Sequence, residues 1–154
     1  LRIAVLPLFF YLYNAGNITA CLILLAFSAA TDFLDGNLAR RLKATSRFGG
    51  YYDTTTDFIL VFGIFTFFSV KGDYPVWLLL VITLSFVQFL ASSLYSKKLY
   101  DPVGKYTGSA LYIGIVLTLI FPSQAMFSFV EFAFLGFFLV SLVSRIVTLT
   151  RKYS

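Results

Sequence analysis

Four aspartates, Asp32, Asp35, Asp53 and Asp57, fall within 26 residues, interleaved with Gly36, Ala39, Arg40 and Gly49. Asp32, Asp35, Gly36 and Ala39 stand at i, i+3, i+4 and i+7, so on a helix they share one face. Gly49, Asp53 and Asp57 repeat every four residues and form a second stripe on the next helix. Two facing stripes would bring four carboxylates together beside surfaces kept bare by small side chains. That arrangement is a metal cage with room for a ligand.

The rest of the inventory narrows the chemistry. The chain has no histidine and one cysteine, Cys21, so imidazole catalysis and histidine-ligated metals are excluded. Clustered carboxylates favour hard, oxygen-seeking cations such as Mg²⁺ or Mn²⁺. Four of them suit two ions, whose binding removes the mutual repulsion of the acids. Such a pair commonly serves chemistry at phosphorus, where metals neutralise phosphate oxygens and a spare carboxylate takes the nucleophile's proton. Gly36, Ala39 and Gly49 would let a nucleotide diphosphate approach the helix backbone. Arg40, one turn past Gly36, is placed to meet phosphate oxygens as a planar fork of donors.

The elements that must hold these residues are membrane helices. Hydrophobic residues make up 59% of the 154 and charged ones only 12%, whereas a soluble domain is about 45–50% apolar and about 25% charged. The expected fold is all-α, a single domain over 1–154 built as a bundle of six transmembrane helices. The first, residues 1–13, is too short to span and is expected to be truncated at its start. The next runs from Ile18 to about Arg41, followed by spans near 49–70, 76–95, 106–121 and 126–148. Turns are expected at Asn14–Asn17, at 71–75 and at 122–124.

With six spans, alternate connections share a side. One side then collects 11 of the 12 basic residues and the other has Lys71 alone. The positive-inside rule places both termini and the motif-bearing helix ends in the cytoplasm. An acid near hydrocarbon costs several kcal/mol unless paired or hydrated, so four together are a functional signal. The rival from another class is an intramembrane cation transporter or channel, but it predicts acids spread through the bilayer depth. A purely structural role for the acids leaves Gly36, Ala39 and Gly49 unexplained.

The motif D-x2-D-G-x2-A-R-x8-G-x3-D-x3-D is matched at all eight fixed positions, from Asp32 to Asp57. In this the chain resembles the membrane-embedded CDP-alcohol phosphotransferases. The resemblance implies transfer of a substituted phosphate from a CDP-linked alcohol to an acceptor hydroxyl, with release of CMP. It implies Asp32, Asp35 and Asp53 as metal ligands and Asp57 as a base that also touches the second metal. It places Gly36, Ala39, Arg40 and Gly49 around the CDP group. It further implies a lipid-linked donor, CDP-diacylglycerol or an archaeal ether analogue, and a homodimer. The family's usual opening pattern of Pro-Asn, Thr and Arg is represented here by Arg2 alone.

Other residues carry weaker signals. Lys97, Lys98 and Lys105 would suit the phosphate of an acceptor such as glycerol 3-phosphate or inositol phosphate, although ordinary topology-setting charge explains them as well. The segment Gly104-Lys105-Tyr106-Thr107 is similar to one in phosphatidylglycerophosphate synthases. The Asp57-Phe58 ending, however, has neither the lysine expected of that subclass nor the arginine of inositol-phosphate members. Gln88 is expected to bond a neighbouring helix, Arg145 to anchor at the inner interface and Glu131 to lie near the outer end. Cys21 is expected to be a small apolar helix residue, and the 29 Phe and Tyr residues to be chiefly lipid-facing, with no nucleic-acid role.

Overall fold

The computed structural model describes the backbone of residues 2–41, 47–96 and 104–153, and the side chains of 3–34, 52, 54–91 and 106–144. The described residues form six helices and no strand: α1 Arg2–Asn14, α2 Ile18–Arg41, α3 Arg47–Lys71, α4 Trp77–Ser96, α5 Gly104–Ile120 and α6 Gln124–Tyr153. Number and order agree with the sequence, and most boundaries lie within two residues of those expected. The exception is α6, which runs to Tyr153 rather than 148. No Gly or Pro follows Gly136 to stop it, so the helix outlasts its apolar run.

The turns are fixed by local chemistry. Gly16 adopts a φ of 73°. Its amide donates to the Tyr13 carbonyl while that of Asn17 reaches Leu12, closing α1 with the paired bonds of a Schellman motif. Asn17 then caps α2, its Oδ1 accepting from the Ala20 amide at 3.1 Å. Gly72, at φ 89°, closes α3 in the same way, with bonds from Gly72 to Ser69 and from Asp73 to Phe68. Ser123 caps α6 through the Met126 amide.

Two compact units divide the chain, Leu1–Ile64 and Phe65–Ser154. In the first, α1 packs on α2 around Val5, Phe9, Cys21 and Leu25, with Leu60, Val61 and Ile64 of α3 also buried. Cys21 is fully buried, its thiol facing the Phe9 carbonyl at 3.9 Å, as a small core residue would be. Gly63 lets α1 come close, since a Cβ there would lie 2.8 Å from Leu6 Cδ2.

In the second unit, α6 packs against both α4 and α5, and α4 against α5. Gly114 admits the close contact of α5 with Val130 of α6. An aromatic cluster fills one end. The Tyr74 ring lies 5.3 Å from Phe65, 6.1 Å from Phe68 and 5.4 Å from Phe127, centroid to centroid. The Tyr74 hydroxyl meets Thr118 Oγ1 at 2.6 Å, and Thr118 Oγ1 donates to the Gly114 carbonyl at 2.8 Å. Because the single threonine proton is committed to that carbonyl, Tyr74 must be the donor to Thr118. Burial pushes the Tyr74 phenol up to about 12, and the charges of Glu131 and Asp73 add to the effect.

Among the described aromatic residues, Phe9, Phe65, Phe68, Tyr74, Phe127 and Phe134 are buried, whereas Tyr11, Phe27, Phe33, Tyr52, Tyr106, Phe121, Phe129 and Phe132 are exposed. Two helical stretches are long and apolar enough to cross a membrane, Thr54–Lys71 and Gln124–Ser144. The other four helices carry shorter apolar runs among the described residues: Ile3–Asn14, Ile18–Leu34, Trp77–Ala91 and Tyr106–Ile120.

Candidate active site

The motif lies on two consecutive helices, with all its residues inside the first unit. Asp32, Asp35, Gly36, Ala39 and Arg40 are all in α2, and Gly49, Asp53 and Asp57 are all in α3. Unbroken helix through both segments turns the i, i+3, i+4, i+7 spacing and the four-residue repeat into true stripes. The two stripes are also in register with the short connection between the helices. Asp35 stands six residues before the end of α2 and Asp53 six residues after the start of α3. Asp32 and Asp57 stand nine and ten residues from those same ends. Counted along the chain from those ends, Asp35 matches Asp53 and Asp32 matches Asp57 to within one residue.

Of the four acids, Asp32 and Asp57 have described side chains. Both are half-buried, and both are engaged by neighbouring groups. Exposed Phe33 and Leu34 follow Asp32, and exposed Ile59 lies two residues beyond Asp57, so each acid sits at the edge of an apolar surface. One residue before Asp32, the Thr31 hydroxyl donates to the Ser28 carbonyl at 2.9 Å and is thereby committed to its own helix. Thr54, Thr55 and Thr56 are likewise engaged, as expected of hydroxyls in an apolar helix.

The side chains of Asp35, Gly36, Ala39, Arg40, Gly49 and Asp53 lie outside the described residues, as does that of Lys105 at the second position of α5. Lys97 and Lys98 fall wholly outside them. Among the described residues no group of three or more His, Cys, Asp or Glu side chains is poised to hold a metal. The donor set on the two helices nonetheless has a clear chemistry: four carboxylates and no nitrogen or sulfur ligand in the motif. That composition fits hard divalent cations.

Among the described residues the chain is all-helical, with the acids of the motif on two consecutive helices. The chain belongs to the CDP-alcohol phosphatidyltransferase family, which it matches over residues 1–143. Its relatives include three proteins named CDP-diacylglycerol–glycerol-3-phosphate 3-phosphatidyltransferase. That of Yersinia enterocolitica is 35% identical over 124 residues, covering 76% of this chain and 65% of the relative. That of Yersinia pestis strain Pestoides F is 43% identical over 63 residues, 39% of this chain and 35% of the relative. That of Pseudomonas fluorescens is 42% identical over 64 residues, 40% of this chain and 33% of the relative. The chain thus spans just under two thirds of the first relative and about a third of the other two. No solved structure matches it.

Proposed function

We propose that this protein transfers the phosphatidyl group of CDP-diacylglycerol to the hydroxyl of glycerol 3-phosphate and releases CMP. The carrying observation is the complete Asp32-to-Asp57 motif, held on two unbroken helices. Family membership supports the reaction class, and the relatives' names support the donor and acceptor. Those names favour glycerol 3-phosphate over inositol phosphate, a choice that the Asp57-Phe58 ending left open.

The chain's own residues would divide the work as follows. Gly36, Ala39 and Gly49 leave space for the CDP pyrophosphate against the helix backbones, and Arg40 pairs with its oxygens. Asp57 accepts the proton of the acceptor hydroxyl as that oxygen bonds to the lipid-linked phosphorus. The phosphorus–oxygen bond to CMP breaks in the same displacement, and CMP carries away the electron pair. Asp32, Asp35, Asp53 and Asp57 fit two ions of Mg²⁺ or Mn²⁺. Such ions supply charge neutralisation at the phosphate oxygens. Lys97, Lys98 and Lys105 are assigned to the acceptor phosphate on charge alone.

We further propose that all six helices cross the membrane, as one domain over 1–154, with both termini and the motif on the cytoplasmic side. The support is the one-sided distribution of basic residues and a family match that runs without interruption through all six helices up to 143. A homodimer is proposed on the family resemblance. The test is CMP release by the full chain in lipid vesicles, with CDP-diacylglycerol and a panel of acceptors. Release with glycerol 3-phosphate above the no-acceptor background supports the assignment; release only with inositol phosphate or another polyol would replace the acceptor.

A further inference from the structure

Three buried polar atoms of the described residues have no hydrogen-bond partner: Ser69 Oγ, Gln88 Oε1 and Ser141 Oγ. The last two stand on α4 and α6, which pack against each other within the second unit. Nearby hydroxyls do not share this condition. Those of Thr83, Ser85 and Thr118 each donate to the carbonyl four residues earlier, at 2.8 Å. Ser141 is only 3% exposed, yet its hydroxyl makes no such bond. Gln88 departs from the sequence expectation, because its carbonyl oxygen is buried without any donor from a neighbouring helix.

The two residues also stand at matching counts along the chain from one shared contact. The Tyr74 ring, just before α4, meets Phe127 in the first turn of α6 at 5.4 Å. Gln88 lies fourteen residues past Tyr74, and Ser141 lies fourteen past Phe127. With α5 packed against both, α4 and α6 run in the same direction, and since Tyr74 precedes α4 the two counts match in depth to within about one turn.

Both residues extend the core-facing stripe of their helix. On α4 the buried stripe is Leu78, Ile82 and Ser85, and Gln88 is its next position. On α6 it is Phe127, Val130 and Phe134, with Ser141 one heptad further. On α5, running the other way, buried Leu119, Ile115 and Leu111 lead to half-buried Thr107. All three stripes thus lead to a polar side chain.

We infer that Gln88 and Ser141 form an internal binding site for one hydroxyl-bearing guest, which donates to Gln88 Oε1 and pairs with Ser141 Oγ. A buried carbonyl oxygen and a buried hydroxyl together need such a group, and leaving both unmade costs the desolvation of each. The guest is a neutral hydroxyl, supplied either by water or by a polyol. Only the polyol source rests on the proposed reaction.

The test is radiolytic hydroxyl-radical footprinting of the full chain in lipid vesicles, read by mass spectrometry at Phe89 and Phe138, which neighbour the two residues on their helices. Oxidation at these positions is expected in the wild type, and Q88L and S141A should each lower it by about threefold or more, since a buried water needs two or more polar partners. Suppression by added glycerol or glycerol 3-phosphate beyond the general radical scavenging read at exposed Tyr11 identifies a polyol guest, and suppression equal to that at Tyr11 identifies water. Absence of oxidation in the wild type, or oxidation unchanged in both variants, overturns the site. S141A removes a single oxygen, so the test does not hang on the bulkier change. The footprint requires no turnover, so its failure is separable from failure of the transferase reading.

Discussion

The Tyr74–Thr118–Gly114 chain makes a prediction in which direction matters as much as size. Tyr74 donates and Thr118 passes its own proton to the Gly114 carbonyl, so the two partners are not equivalent. Replacing Tyr74 with Phe removes a donor and leaves Thr118 still bonded, a loss of about 0.5–1.5 kcal/mol. Replacing Thr118 with Val strands a phenol that is 3% exposed among aromatic rings, at about 1–3 kcal/mol. The double variant should cost less than the sum of the two, because no polar group is then left unpaired.

The pH dependence adds a second constraint. The phenol is raised in the folded state from 10.0 to about 12. The folded form therefore holds its proton more tightly, and the corresponding stability is fully present below pH 10. It is lost as the pH rises through about 12, by about 3 kcal/mol at most. Thermal unfolding in detergent between pH 9 and pH 12 would show a steeper loss for wild type than for Y74F. Equal slopes for the two, or T118V no worse than Y74F, would refute the assigned donor and the burial of the phenol.

Three further outcomes follow from the fold and the site. Asn17→Ala should lower stability by about 1 kcal/mol, with Asn17→Asp close to wild type, because the side-chain oxygen caps α2; thermal unfolding decides. Gly63→Ala should change stability by less than about 1 kcal/mol, since better helix propensity offsets the displacement of the flexible Leu6 tip, whereas Gly63→Leu should cost more than about 2 kcal/mol. A chelator should abolish CMP release, and Mg²⁺ or Mn²⁺ should restore it while Ca²⁺ restores less, because a larger ion relaxes the octahedral geometry.

Helix boundaries were legible where local chemistry sets them. Asn14-Ala-Gly-Asn17 reads as a turn, and it is one because Gly16 takes a left-handed conformation and Asn17 has a side chain that caps. The end of α6 was not legible, because apolar periodicity stops near Thr148 while nothing after it breaks a helix. The helices that carry the acids were legible from spacing and hydropathy, and α2 and α3 run as regular helix through both segments. Long-range choices were hidden. Tyr74 looks like an interfacial tyrosine until Thr118, 44 positions away, receives its hydroxyl. Gln88 looks like a helix-to-helix bridge until its oxygen proves to lack a donor. Both outcomes depend on which side chains meet across helices, which periodicity does not encode.

The central claim is that the Asp32-to-Asp57 quartet performs phosphatidyl transfer with Asp57 as base. The most direct measurement is CMP release by D57N in vesicles with Mg²⁺, CDP-diacylglycerol and glycerol 3-phosphate, alongside the thermal shift that the donor induces. Loss of a general base should slow turnover by about 10²–10⁴-fold while the donor still stabilises the protein. Turnover close to wild type would contradict the account.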